Sequence, residues 1–197
     1  MAIFKPEMKE SNPNRFYGVC ELKLEQFEEK SDLFDWADIF IDVVVRQKGS
    51  EYTRNIKLAG SFDKDSNGNI TGGSVLKRMY KFFDVIGCTA GLNVKGTWES
   101  EEGIEISNIA EYLNDNFITP INDYDYIGYV YKELPKKPGD KAWTRVYPKI
   151  YQNTTENKLK LYEDIKWLKG KGYLKEFTDE PANSSGENLE ESAIANL

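Results

Sequence analysis

The chain has 197 residues, enough for one core with appendages. It contains no histidine, which excludes Ser-His-Asp and Cys-His catalysis, histidine-ligated zinc and a histidine pH switch. The net charge of −7 is unevenly spread: residues 1–131 carry 14 Lys+Arg against 22 Asp+Glu, residues 132–175 carry 12 against 5, and residues 176–197 carry 0 against 6.

The first 15 residues are polar and are expected to be mobile. They lack a basic region leading into a long apolar one, and no apolar run of 18 residues follows, so neither a signal peptide nor a membrane span is expected. Cys20 and Cys88 form no CxxC pair and read as buried thiols in a reducing compartment, the cytoplasm. Residues 16–24, FYGVCELKL, alternate as a strand. Acids follow, and then LFDWADIFIDVVVRQKG. There Ile39, Ile41, Val43 and Val45 share one parity and Phe40, Asp42, Val44 and Arg46 the other, which predicts a strand with one buried and one mixed face. EYTRNIKLAGSF is its hairpin partner beyond a turn at Lys48-Gly49-Ser50.

FDKDSNGNITGGSV comes next. Asp63, Asp65, Asn67 and Gly68 match the early positions of a calcium loop, but Ser74 stands where the loop needs a bidentate glutamate, and a strand precedes it instead of a helix. The same residues build long turns, so a strand-to-helix connector is expected and no metal. Leu76, Met79, Tyr80, Phe83 and Ile86 then predict a helix over 75–86, with Ser74 as N-cap and Gly87 as stop. The backbone N–H groups at Gly72-Gly73-Ser74, with Lys77 and Arg78 in the first turn, suit a phosphate, but the favoured reading is that Gly72 and Gly73 only turn the chain into the helix. GLNVKGTWES and GIEIS read as another hairpin, and NIAEYLNDNF as a short helix or turn.

From Asp123 the chain becomes tyrosine-rich. YDYIGYVYKEL predicts a strand with a bulge at Gly128, where the tyrosine parity changes. PKKPGDK is a basic hairpin loop and AWTRVYPKIYQ the returning strand. ENKLKLYEDIKWLKGKGYLKEF is an amphipathic helix with Leu161, Ile165 and Leu168 as its stripe. Residues 176–197 hold few large apolar side chains and are expected to be a disordered acidic tail. The order predicts a mainly β chain with helices, an α+β class: one OB-like small β-barrel domain over 16–175 with one internal helix and a C-terminal amphipathic helix.

The returning strand is the most informative segment. One parity gives Trp143, Arg145, Tyr147, Lys149 and Tyr151; the other gives Thr144, Val146, Pro148 and Ile150. The partner strand adds Tyr124, Tyr126, Tyr129 and Tyr131, and the loop adds Lys136, Lys137 and Lys141. Flat rings accept any base face by stacking, and interleaved cations meet phosphates, which is the chemistry of single-stranded nucleic acid binding. The bland alternative is that the C-terminal helix covers this face, with the rings as core and Arg145 and Lys149 snorkelling at its edge.

With YIGYVYKELPKKPGDKAWTRVYPKIY and the acidic tail, the chain resembles the single-stranded DNA-binding proteins of bacteriophages. The resemblance implies an OB fold without catalytic residues or cofactor. It also implies coating of single-stranded DNA in replication and recombination, with the acidic tail recruiting partner proteins. This tail ends in Asn196-Leu197, unlike the denser acidic, aromatic-ended tails of the best-known families. Two other classes are weighed. Eight acids in residues 21–42 suit a protein-interaction or host-inhibitor module. The triplet Glu21-Leu22-Lys23 with Asp35, Asp38 and Asp42 matches part of the pattern of a metal-dependent nuclease.

Overall fold

The computed structural model of the chain describes residues 17–89, 91–92, 97–99, 104–105, 109–118 and 123–177. The expected mobile N-terminal segment, and the tail beyond Phe177, lie outside the described residues. The elements in order are β1 (Gly18–Glu29), β2 (Ile39–Gln47), β3 (Thr53–Gly60), β4 (Asp63–Lys64), β5 (Ile70–Gly72), α1 (Ser74–Ile86), β6 (Gly91–Leu92), β7 (Thr97–Glu99), β8 (Ile104–Glu105), α2 (Ile109–Phe117), β9 (Tyr126–Glu133), β10 (Trp143–Val146), β11 (Tyr151–Gln152) and α3 (Thr155–Gly170).

The class is α+β. One antiparallel sheet of six strands runs β10-β9-β1-β2-β3, with β11 also paired to β9. β1 is long because it serves two neighbours: Gly18 to Leu22 pair with β9, and Leu22 to Glu29 pair with β2. A bulge between Leu24 and Gln26 bends it at the changeover. The sheet curls until the Cα atoms of its end strands, β3 and β10, come within 8 Å. Among the described residues no ladder joins these two edges.

On β2 the inner parity read from the sequence holds, but the face expected to be mixed is buried too, at Phe40, Asp42 and Val44. Ile39, Ile41, Val43 and Val45 enter the main core with Leu22, Phe27, Ile56 and Leu58. α1 closes that core with Val75, Leu76, Met79, Phe82, Phe83 and Ile86, an apolar stripe at helical spacing. α2 adds Ile109, Ala110 and Leu113. Asn114 on α2 also completes β1 where β9 stops. Its amide oxygen accepts from Phe27 N at 2.8 Å, and its amide nitrogen donates to Phe27 O at 2.9 Å.

Three local expectations are corrected. Ser74 is the first helical residue of α1, and the N-cap is Gly73, which makes no side-chain cap bond. Gly73 holds φ at +142°, and a Cβ there would lie 3.0 Å from Ser61 O, so the chain needs glycine at this corner. Gly128 makes no bulge, since β9 pairs with β1 in continuous register from Leu22↔Tyr126 to Gly18↔Val130. The returning strand is also split. It pairs at Trp143–Val146 and again at Tyr151–Gln152, with Pro148, which has no N–H, in the gap.

Candidate nucleic-acid interface

The parity expected for the β9–β10 hairpin is present. Arg145 pairs with Tyr131 and Val146 with Val130. Val130, Val146 and Ile150 face the main core, while Ile127, Tyr129, Tyr131, Tyr147 and Tyr151 face outward. Much of that outer face is covered by α3. Thr154 caps the helix by accepting from Asn157 N at 3.2 Å, and Leu161 and Ile165 then seal onto Ile127 and Tyr129. Leu174 closes the cluster.

The expected stacking row is therefore largely a structural seam. Tyr129 is only 8% exposed, stacks on Tyr131 at 6.2 Å, and accepts a hydrogen bond from Lys169 at 2.7 Å. Burial pushes its hydroxyl well above the ordinary tyrosine range. Tyr147 and Tyr151 are half-buried against the same cluster. Lys149 pairs with Asp164 of α3, and the Tyr151 hydroxyl donates to the same carboxylate at 2.6 Å. Burial acts to raise the Asp164 carboxyl, but the bonds from Lys149 and Tyr151 hold it below its ordinary value. Tyr124 lies away from this row, with Lys23 and Lys48 at 5.9 and 5.8 Å from its ring.

What remains open is the start of β10 and the loop before it. Trp143 is 59% exposed, with Lys141 Nζ at 5.2 Å from its ring. Arg145 is exposed and bonds Glu133 at 3.0 Å. Lys136 and Lys137 are exposed in the loop. Lys77 is exposed on α1, whereas Arg78 donates to the carbonyl of Ala59. The Asp63 carboxylate lies 3.3 Å from the Cβ position of Gly72, which sets a negative charge beside the suggested phosphate site.

No protein-family model, curated protein or solved structure matches this chain.

The sheet adds a group that the sequence pattern does not single out. In the β1–β2 connection, Phe34 stacks on Phe40 at 4.4 Å and 17°, and Trp36 meets Phe40 at 6.0 Å and 70°. Trp36 is 59% exposed. Lys57 on β3 stands 5.4 Å from the Phe40 ring. Phe40 and Lys57 lie on the sheet face opposite to Ile41 and Ile56, where Lys57 is exposed and Phe40 is buried under its ring neighbours. The signal in the sequence is LFDWADIF, whose rings at 34, 36 and 40 share one parity.

The acids of residues 21–42 are mostly engaged. Glu21 bonds Lys48 at 2.5 Å, Glu25 bonds Arg46 at 2.5 Å, Asp38 bonds Lys64 at 2.6 Å and Asp42 bonds Lys30 at 2.8 Å. These lysine and arginine bonds hold the Glu21, Glu25 and Asp38 carboxyls below their ordinary values. No three acidic, cysteine or histidine side chains are grouped to hold a metal among the described residues. In the loop after β3, Asp65 is used by its own turn. It accepts from the backbone of Asn67 at 2.8 Å and of Asn69 at 2.9 Å. Cys20 and Cys88 form no disulfide. Cys88 is buried, and burial pushes the Cys20 thiol up to about 11.

Proposed function

We propose that the protein binds single-stranded DNA without catalysing a reaction. The observation that carries this reading is two exposed tryptophans, Trp36 in the β1–β2 connection and Trp143 at the start of β10, the latter with Lys141 Nζ 5.2 Å from its ring. Exposed rings offer stacking to any base, and duplex DNA keeps its base faces out of reach, so the chemistry favours single strands. The neighbouring Arg145, Lys136 and Lys137 supply phosphate contacts.

The strand plan supports an OB-type barrel. A three-strand meander is followed by α1, and then by β9, which returns to β1, and by β10, which comes up against β3. Partly open barrels of that kind bind oligonucleotides over their second and third strands and the loops after the first and fourth. Here those places hold Trp36, Phe40, Lys57 and the loop before Trp143. By its resemblance to phage proteins, the role is coating DNA during replication or recombination in the host cytoplasm, with the acidic tail contacting partner proteins.

The deciding experiment is titration of the full chain with labelled oligo-dT at two salt concentrations, read by tryptophan quenching. Binding should weaken steeply with salt. Trp143→Ala should lose affinity by about 1–3 kcal/mol for each base it stacks. A Trp36→Ala/Trp143→Ala double variant that binds like the wild type would overturn the reading.

A further inference from the structure

A second aromatic pair stands outside both the core and the surface just described. Trp167 on the last turn of α3 is 56% exposed, and Tyr173 just beyond it is 72% exposed. Their rings lie 5.7 Å apart at 55°. The turn that carries them is firmly held. Gly172 turns the chain at φ +69°, Tyr173 N donates to Leu168 O at 2.9 Å, and Leu174 is buried.

Exposed lysines stand next to the pair in the chain. Lys166, Lys171 and Lys175 form no ion pair among the described residues. Lysines at a helix C-terminus also complement its dipole, so they alone argue little. The two large rings have no such structural reason to face water. Exposed rings with exposed lysines a few residues away also occur at Trp143, where Lys141 Nζ lies 5.2 Å from the ring.

The two places are joined through the sheet. After the turn, Leu134 N donates to Lys175 O at 3.1 Å and Phe177 N donates to Lys132 O at 2.8 Å. Glu133 therefore has Trp143 as its Cα partner on one side and Glu176 on the other. At about 4.8 Å per strand, the backbones of Trp143 and Glu176 are roughly 10 Å apart.

We infer that Trp167 and Tyr173 form a second stacking station for the same single strand that Trp143 holds. This rests on the proposed function. The strand passes from the loop before β10 across residues 175–177 onto the C-terminal end of α3. Continuity with the first station and the unpaired lysines select a polyanion with base faces over a partner protein.

The test uses the full chain and oligo-dT of two lengths, about 5 and about 20 nucleotides, within and beyond a single barrel's reach. Trp167→Ala/Tyr173→Ala should bind the long oligonucleotide about fivefold or more weakly and the short one unchanged. Trp167→Phe, which keeps a ring, should recover most of the loss. Trp143→Ala should weaken both lengths. If the double variant binds the long oligonucleotide like the wild type while Trp143→Ala is weakened, the second station is wrong and the proposed function stands. Equal loss at both lengths also overturns the station. If neither variant matters and Trp36→Ala/Trp143→Ala also binds both lengths like the wild type, the proposed function itself fails; if only that last variant is weakened, the second station is wrong and the proposed function stands.

Discussion

Gly128 and Leu22 occupy one place in the core: a Cβ built on Gly128 would lie 2.5 Å from Leu22 Cδ1 and 3.4 Å from both Ile150 Cγ2 and Val146 Cγ1. Leu22 is fully buried, so it has nowhere to withdraw. Gly128→Ala should destabilise the fold by about 1–3 kcal/mol, as overpacking does. Urea denaturation measures it, and an unchanged midpoint would show that the strands pack more loosely there.

Asn114 bonds both backbone groups of Phe27. Asn114→Ala removes both partners from a buried residue, and should cost about 1–3 kcal/mol. Faster hydrogen exchange at the Phe27 amide would locate the loss at that point of β1.

On the outer face, Trp36→Ala should weaken oligo-dT binding by about 1–3 kcal/mol for a stacked base. Lys57→Ala should weaken it less, and lower the dependence of affinity on salt. Because Trp36 is exposed, thermal stability should be almost unaffected.

The tail supplies a fourth expectation. Residues 178–197 carry 5 acids and no Lys or Arg. Truncation after Phe177 should tighten binding of the same oligonucleotide, most clearly at low salt. Unchanged affinity would mean that the tail does not compete for the cationic surface.

Alkaline pH should open the seam beneath α3. Burial raises the hydroxyl pKa of Tyr129, Tyr131, Tyr147, Tyr151 and Tyr162. Folded values above unfolded ones stabilise the protein below the ordinary tyrosine value of about 10, and this contribution is lost as pH rises through the raised values. Tyrosinate absorbance should therefore rise together with loss of α3 circular dichroism. Ordinary titration of every tyrosine with the helix intact would contradict the buried seam.

The strands are legible in the sequence through their period of two and α1 through its stripe, because both patterns are local. The alternation of Trp143 to Tyr151 is equally legible, but it does not say what lies on top. The same stripe that announces α3, Leu161 and Ile165, needs an apolar partner, and Ile127 and Tyr129 provide it. Gly128 suggests a bulge because a parity change looks the same whether a strand bulges or carries tyrosines on both faces, as here with Tyr126 against the main core and Tyr129 and Tyr131 under α3. Trp36 does not stand out because its segment is rich in aspartate, and only the fold shows Asp38 and Asp42 drawn off by Lys64 and Lys30.

The broken strand after Trp143 has one more effect. Paired strands end in rows of unmet amide and carbonyl groups, which invite other chains to add on. Here the rim along β10 turns toward β3, and the rim along β11 lies against α1, where Gln152 Nε2 donates to Val85 O at 3.3 Å. Pro148 removes a donor between them. Among the described residues, the rims along β10 and β11 thus offer only short templates for another chain to add on to.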